Sequence, residues 1–245
     1  MRILTWNLCH GGGARRMPAI TLALLEHRAD VMVLTEFRST IGGQIAGILA
    51  DHGLVHQHTT ELPRGCNGIL VASRSPLDVA PAVPVAAGPG RPASTGRRLT
   101  RVHFPEAGFS LVGLHVPPDG RGSGREAVFQ DAVGIAEESR DRECILIGDF
   151  NAGRHRLDEA GTTFTCTRLL GRLAAFGYVD AWRSLHPDGR EYTWFSHEGQ
   201  GFRIDHAFIS RPLSACLTAC RYSHLERESG LSDHSVLTVD LDVGA

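Results

Sequence analysis

A carboxylate and an amide follow directly after an apolar run in the segment Cys144 to Asn151, whose sequence is CILIGDFN. The run predicts a buried strand, and Gly148 ends it in a turn that directs Asp149 and Asn151 beyond the carboxyl end of the strand. Ligand sites of α/β sheets lie at such strand ends. Asp149 could deprotonate a water molecule there, and the amide of Asn151 could help to hold that water.

Further polar residues stand at or beside the ends of other strand-like runs. They are Asn7, Glu36, His115, Asp205, Asp233 and His234. Each of them alone would be read as a turn, cap, core or surface residue, but together they predict one site. Carboxylates, amides and imidazoles without cysteine ligands suit a hard ion such as Mg²⁺ or Mn²⁺ better than zinc.

These residues must be positioned by strands with helices between some of them, a pattern that predicts two sheets covered by helices. The predicted strands are Arg2–Leu8, Val31–Glu36, Gly68–Ser73, Val79–Val85, Leu99–Phe104, Phe109–Val116, the run before Gly148, Tyr192–Phe195, Phe202–Ile209, Ala215–Tyr222 and Ser235–Leu241. The predicted helices are Pro18–Arg28, Ile41–His52, Arg125–Arg140 and Leu169–Phe176. No break in composition divides the chain, so a single domain over residues 1–245 is expected.

The composition is that of a globular protein, with 42% hydrophobic and 21% charged residues. No apolar run reaches the length of about 20 residues that spans a membrane, and no secretion signal is recognisable, so a cytoplasmic protein is expected. The six cysteines form no CxxC pair and predict reduced thiols.

A net charge of −2 gives no global sign of nucleic-acid binding, so such binding would need a local patch. The arginines at positions 91, 97, 98 and 101 could form such a patch and contact phosphates, or they could belong to a solvated loop.

Five short motifs occur in an order and spacing that resemble those of the endonuclease/exonuclease/phosphatase superfamily. They are Trp6-Asn7, Thr35-Glu36, Gly148-Asp149-Phe150-Asn151, Arg203-Ile204-Asp205 and Ser232-Asp233-His234. The resemblance runs from Met1 to about Leu241. Within the superfamily, the segments Tyr178–Trp182, Tyr192–Phe195 and Phe202–His206 are similar to the exonuclease III branch, whose members cut DNA at abasic sites or from ends.

The resemblance implies a DNase I-like α/β (α+β) fold, a four-layer sandwich of two mixed β-sheets flanked by helices. It implies that Glu36 is the main metal ligand, with Asn7 and Asp233 beside it. It also implies that Asp149 and Asn151 orient and deprotonate the attacking water, and that His234, held by Asp205, stabilises the phosphate. His115 is expected to be catalytic. Trp194, Phe202 and Ile204 match positions that line a sugar pocket in abasic endonucleases, although packing is an alternative role for such residues.

This chain departs from the family pattern at three positions. Cys9 replaces an acid or amide, which weakens one metal contact. His115 stands where the abasic-site branch has a tyrosine, as it does in pancreatic deoxyribonuclease and many phosphatase members, so narrow repair specificity is not expected. His206 also replaces a tyrosine, and we have no mechanistic reading of it.

The function expected from these residues is Mg²⁺-dependent phosphodiester hydrolysis by an endo- or exonuclease, with DNA as the substrate, abasic-site repair as one option and a monomer as the active form. One alternative is a phosphatase or phosphodiesterase acting on a lipid, an inositol or another small phosphate ester. A second alternative is a binding module with a vestigial site. A nuclease should carry an arginine-lined groove, whereas a small-molecule enzyme should have a closed pocket.

Overall fold

The computed structural model describes residues 1–60, 65–80, 98–120 and 124–243. The first sheet contains six described strands in the order β13-β14-β1-β2-β4-β3. They are β1 (Arg2–Asn7), β2 (Val31–Phe37), β3 (His56–Thr59), β4 (Gly68–Ser73), β13 (Leu217–Ser223) and β14 (Val236–Leu241). Strands β1 and β2 are parallel, whereas the other neighbours in this sheet are antiparallel.

The second sheet also contains six described strands, in the order β5-β6-β7-β8-β12-β9. They are β5 (Asp78–Val79), β6 (Leu99–Phe104), β7 (Phe109–His115), β8 (Cys144–Asp149), β9 (Val179–Asp180) and β12 (Asp205–Ile209). Its one described parallel pair is β7 with β8. A separate two-stranded ribbon consists of β10 (Trp194–Phe195) and β11 (Gly201–Phe202).

Helices α1 (Gly13–Glu26) and α2 (Ser39–Asp51) cover the outer face of the first sheet, and α3 (Arg125–Glu138) and α4 (Thr167–Ala175) cover that of the second. The shorter helices are α5 (Ala181–Leu185), α6 (Arg211–Ser214) and α7 (Leu225–Glu228), and residues of α5 and α6 pack into the core between the sheets. Along β2, Val31 and Val33 pack between the sheets, while Met32 and Leu34 pack under the helices. This alternation explains why the buried strands are continuously apolar, and it confirms the predicted four-layer sandwich. In the described part of the chain, every helix is too short or too polar to cross a bilayer.

Strand direction brings the predicted site residues to one edge of the two sheets, which we call the site edge. It is formed by the carboxyl ends of β1, β2, β7 and β8 and by the amino ends of β12 and β14. Asn7 pairs with Thr35, and His115 pairs with Asp149. Parallel pairing therefore aligns the carboxyl ends of two strands in each sheet.

The prediction of one strand over Phe202–Ile209 was wrong. Phe202 pairs with Trp194 in the ribbon, whereas Asp205 begins the pairing of β12 with β8. Between them, the backbone N–H of Arg203 donates to the carbonyl of Asp158 at 2.8 Å. The chain therefore stops pairing with β10 after Phe202 and begins to pair with β8 at Asp205.

Other boundaries differ by a few residues, and five short elements were missed. Helix α1 begins at Gly13, before the predicted start, and Pro18 lies inside it. Strands β3 and β9 and helices α5, α6 and α7 were not predicted. Of the strand predicted at Val79–Val85, Val79 lies in β5, Ala80 follows that strand, and the remainder, like Arg91 and Arg97, lies outside the described residues. The single-domain assignment stays a prediction.

Candidate active site

Asp149 lies at the centre of the site edge, and 1% of its surface is exposed. Its neighbours across the pairing are His115 of β7 and Asp205 of β12. Its Oδ2 accepts hydrogen bonds from Nδ2 of Asn7 and Nδ2 of Asn151, both at 3.0 Å. Its Oδ1 accepts from the backbone N–H of Asn151 at 2.8 Å. The carboxylate is therefore held in one orientation.

The turn after β8 depends on the glycine at position 148. Its φ is +145°, and a Cβ there would lie 2.0 Å from the carbonyl oxygen of Leu114. Asn151 has φ +46°, a left-handed conformation that asparagine adopts more readily than most residues. Its Nδ2 also donates to the carbonyl of Val116 at 2.9 Å. The Gly-Asp-Phe-Asn sequence thus encodes both the close strand approach and the turn.

His234 and Asp205 form a buried pair, with Nδ1 of the imidazole 2.9 Å from Oδ2 of the carboxylate. The backbone around this pair is anchored on both sides. Oγ1 of Thr193 accepts from the backbone N–H of Asp205 at 3.3 Å, and the hydroxyl of Tyr222 donates to its carbonyl at 2.7 Å. Nε1 of Trp6 donates to the carbonyl of His234 at 3.0 Å. The two sheets therefore hold the pair jointly.

The pKa values of His234 and Asp149 are shifted in ways that suit different roles. Burial lowers the pKa of His234, but the charge and hydrogen bond of Asp205, together with the charges of Asp149 and Asp233, raise it to about 10. Burial raises the pKa of Asp149 to about 7, against the opposing charge of His234. The imidazole is a cation at neutral pH, whereas the carboxyl group titrates near neutrality.

Glu36 is held in a strained conformation at the end of β2. The register of β2 against β4 shifts between Thr35 and Phe37, so Glu36 is the extra residue of a bulge, and its φ is +52°. Bulges redirect side chains, and left-handed non-glycine residues cost about 1–3 kcal/mol. Its Oε2 accepts from the backbone N–H of His10 at 2.8 Å. The strain is consistent with a functional requirement for this orientation.

His115 links the carboxylates of the two sheets. Its Nε2 lies 3.6 Å from Oε1 of Glu36 and 3.6 Å from Oδ2 of Asp149. Burial and the positive charge of Arg98 hold the pKa of His115 well below its usual value. His115 is therefore a neutral imidazole, in contrast to His234.

Two sets of side chains could hold a divalent ion. In the described parts of the chain, the ligand atoms of Asp149, Asp205 and His234 all lie within 4.8 Å of one another. This set is already engaged internally, because Nδ1 of the imidazole and Oδ2 of Asp205 are hydrogen-bonded to each other. Glu36 fits better. Its side chain is 15% exposed, and among the described residues its basic neighbours are His10 and His115, with no arginine in contact.

One of the other predicted ligands lies at the end of β1, which pairs with β2, and the other lies shortly before β14, which pairs with β1. Asn7 ends β1, and its Oδ1 accepts from the backbone N–H of Cys9 at 2.9 Å. Asp233 comes shortly before β14, where its Oδ2 accepts from Nε1 of Trp194 at 3.2 Å. Carboxylate and amide oxygens at one edge suit Mg²⁺ or Mn²⁺. The predicted set of Glu36, Asn7 and Asp233 therefore fits such an ion chemically.

An aromatic wall lies beside Asp233. The rings of Trp194 and Phe202 have centroids 5.8 Å apart, and Phe164 packs edge-on against Phe202 at 5.5 Å. Trp194 and Phe202 are half-buried, whereas Ile204 is 4% exposed and belongs to the core. The first two could contact a substrate, and the third is a packing residue.

Behind the site, a buried ion network fixes the segment before Asp205. The guanidinium of Arg203 donates to Oδ2 of Asp180 at 2.6 Å and, through Nε, to Oδ1 of Asp158 at 2.8 Å. Burial would raise the pKa of Asp180, but Arg203 holds it well below its usual value. Nε2 of His206 bonds the carbonyl of Ala152 at 2.8 Å, which gives this histidine a structural role.

The structure brings seven of the predicted residues into one connected cluster at the site edge. They are Asn7, Glu36, His115, Asp149, Asn151, Asp205 and His234. Asp233 and Trp194 contact each other at its margin. His10, Arg98 and Arg203 were not predicted to support the site. The position of Arg98 could have been found from the pairing of β6 with β7, because Leu99 faces Leu114 and the preceding residue then faces His115.

A known protein family matches most of the chain. Residues 4–234 match the family model described as the Endonuclease/Exonuclease/phosphatase family. The match covers the site residues described above and agrees with the resemblance drawn from the motifs.

Similar solved structures span the whole chain. A 3′ phosphatase from Neisseria, bound to product DNA hairpin, has a TM-score of 0.80 and 23% identity, with 99% of each chain covered. An AP endonuclease from Archaeoglobus fulgidus has a TM-score of 0.80 and 20% identity, and a 3′-5′ exonuclease from Neisseria meningitidis has 0.79 and 24%. For both, 99% of this chain and 100% of the other are covered. At these identities the likeness shows a shared fold.

Proposed function

Because this chain belongs to the endonuclease/exonuclease/phosphatase family, we propose that it is a metal-dependent hydrolase that cleaves phosphodiester bonds in DNA. The observation that carries the proposal is the meeting of Glu36, Asp149 and the Asp205–His234 pair at the site edge. Phosphodiester hydrolysis uses a base for water, a cationic hydrogen-bond donor and a ligand for a divalent ion. Asp149, His234 and Glu36 supply these three groups in turn, and Asp205 holds His234.

In the proposed reaction, Asp149 orients a water molecule and accepts its proton as the water oxygen attacks phosphorus. The bond from phosphorus to the leaving oxygen breaks in the same displacement, and that oxygen leaves with the bonding electron pair and takes a proton from solvent. Asn7 and Asn151 keep the carboxylate in place through their Nδ2 donors. A pKa of about 7 allows Asp149 to act as a base near neutral pH.

His234 stabilises the charge that builds on the phosphate oxygens. Its Nδ1 is engaged by Asp205, so Nε2–H is the donor left for a phosphate oxygen. The charge of Asp205 keeps the imidazole protonated, and a cation in a buried site stabilises an adjacent anion strongly. The pair therefore acts as a fixed positive hydrogen-bond donor.

A bound divalent ion would supply further positive charge to the phosphate oxygens. Glu36 would hold it, with Asn7 and Asp233 beside it on neighbouring strand ends. Mg²⁺ is the proposed ion, and Mn²⁺ is the alternative, because both favour oxygen ligands.

The choice of DNA as substrate is supported by the aromatic wall and by the similar structures. Trp194 and Phe202 lie next to Asp233, where aromatic faces could stack on a base or a sugar. One similar structure holds product DNA hairpin, and another is of an AP endonuclease. The first is a 3′ phosphatase, which makes removal of a terminal phosphate the second candidate activity.

The test is hydrolysis of end-labelled DNA by the purified protein. The substrates are a plain duplex, an abasic duplex, a hairpin with a terminal phosphate and a p-nitrophenyl phosphodiester, each with Mg²⁺, with Mn²⁺ and with a chelator. Asp149→Asn and Glu36→Gln are compared with Asp141→Asn, which changes a carboxylate on an exposed surface.

We expect DNA cleavage that requires the metal, is lost in the first two variants and is retained in Asp141→Asn. Full activity in the chelator would overturn metal dependence. Cleavage of the p-nitrophenyl ester without cleavage of any DNA would overturn the proposed substrate.

A further inference from the structure

Arg98 contacts His115 through both its backbone and its side chain. Its carbonyl accepts a hydrogen bond from the backbone N–H of His115 at 2.8 Å, where β6 meets the end of β7. Its NH1 lies 3.0 Å from Nδ1 of the same histidine. The imidazole is thus approached by a guanidinium on the side that faces away from the carboxylates.

This contact determines which ring nitrogen of His115 carries the proton. A guanidinium has only hydrogen-bond donors and stays protonated, so Nδ1 must offer its lone pair. The proton of the neutral ring is then on Nε2. An acid in the place of Arg98 would have imposed the opposite tautomer.

Nε2–H of His115 points into the gap between two carboxylates. Oε1 of Glu36 and Oδ2 of Asp149 are each 3.6 Å away, which is too long for a direct hydrogen bond. A polar gap of this length is suited to an oxygen atom that bridges the two sides. Under the proposed function, that oxygen belongs to the attacking water or to the scissile phosphate.

We propose that Arg98 is a positioning residue that fixes His115 as a neutral Nε2–H donor to the reacting water or phosphate. This assignment rests on the proposed function for the identity of the bound oxygen, but the tautomer stands without it. The two histidines of the site then differ in kind. His234 is a cation held by the carboxylate of Asp205. His115 is a neutral donor held by the guanidinium of Arg98, which stays protonated.

The test reads the tautomer directly. Heteronuclear NMR of the ring nitrogens, in metal-free full-length protein without substrate, separates protonated from unprotonated nitrogens, and His115→Gln identifies the signals. We expect Nδ1 of His115 to be unprotonated and Nε2 to be protonated. A proton on Nδ1 in the wild-type protein would overturn the proposal, whatever the variants do.

Charge reversal at position 98 provides the second readout. In Arg98→Glu, the carboxylate accepts from Nδ1, so the proton should move there and turnover should fall about 100-fold, as on loss of one fixed donor. Arg98→Lys keeps a cationic donor and should retain the tautomer and activity within about tenfold. Arg98→Met, which can neither donate nor accept, should retain more activity than Arg98→Glu.

Arg101→Glu is the matched control, because Arg101 lies on β6, three residues after Arg98, and contacts Ser139 instead of His115. Its His115 signals should be unchanged. Equal turnover of Arg98→Glu and Arg98→Met, with both folded by circular dichroism, would overturn the role of the hydrogen bond. If wild-type protein shows the expected tautomer but hydrolyses no phosphate ester, then the proposed function fails and the tautomer assignment stands.

Discussion

Nδ1 of His234 lies 2.9 Å from Oδ2 of Asp205, and the two side chains are 7% and 3% exposed. The pair joins the two sheets, since Asp205 begins β12 and His234 comes shortly before β14. A buried charge pair depends strongly on both partners, because removing one leaves the other unpaired in a poorly solvated place.

Asp205→Asn should change the pH dependence of turnover. Asp205 raises the pKa of His234 to about 10, so the wild-type imidazolium persists through neutral pH and is lost as the pH rises through that value. In the variant, burial lowers the pKa and the charges of Asp149 and Asp233 remain, so the imidazolium should be lost at lower pH. Turnover of Asp205→Asn should therefore fall as the pH rises through a range in which the wild-type imidazole is still protonated. Profiles of equal shape would contradict the assignment.

His234→Ala should lower turnover about 100-fold or more, because a fixed cationic donor to the phosphate is removed. Its Mg²⁺ affinity, measured by calorimetry, should stay close to that of the wild type. If the affinity falls together with turnover, the ion binds in the set of Asp149, Asp205 and His234 and not at Glu36.

Glu36→Gly should separate stability from metal binding. The substitution relieves the left-handed φ of +52° and should raise the free energy of unfolding of the metal-free protein by about 1 kcal/mol. Mg²⁺ binding should be lost. Glu36→Gln is the control, since it keeps the strain and removes the charge, and should lose binding without gaining stability. A lower unfolding temperature in Glu36→Gly would show that the bulge is not strained.

Gly148→Ala should destabilise the protein by about 3 kcal/mol or more in urea unfolding, because its Cβ would lie 2.0 Å from the carbonyl oxygen of Leu114. Gly134→Ala in α3 is the matched control. Apart from its chain neighbours and the backbone of its own helix, no atom lies within 4 Å of a Cβ there, and alanine favours a helix by about 1 kcal/mol. Equal effects of the two substitutions would refute the close approach of β7 and β8.

Arg203→Met should cost about 3–5 kcal/mol of stability, because it leaves the carboxylate of Asp180 buried without its guanidinium and leaves Asp158 with Arg183 as its remaining cation. The lowered pKa of Asp180 means that its contribution is present above its unfolded pKa and is lost as the pH falls. Arg221→Met, whose side chain is 66% exposed, should change stability by less than about 1 kcal/mol. Chemical denaturation at neutral and acid pH would measure both, and similar losses would argue against the network.

The sequence was sufficient for the features that depend on local pattern. Continuous apolar runs such as Val31 to Leu34 are buried on both faces, so their composition alone identifies them as inner strands. Polar residues after such runs must gather where parallel strands end, which predicted that Asn7, Glu36, His115 and Asp149 would meet. Their roles in catalysis stay predictions.

Tertiary pairing decided what local pattern could not. The bulge that turns Glu36 toward His115 arises from the register between β2 and β4. The strand predicted from Phe202 is interrupted because Phe202 pairs with β10, whereas the residues from Asp205 onward pair with β8. The sequence by itself thus determined which residue types reach the site edge. Only the folded chain decided that Arg98 meets Nδ1 of His115, because a hydrogen-bond partner and the proton it fixes depend on contacts between strands and not on the order of residues along one of them.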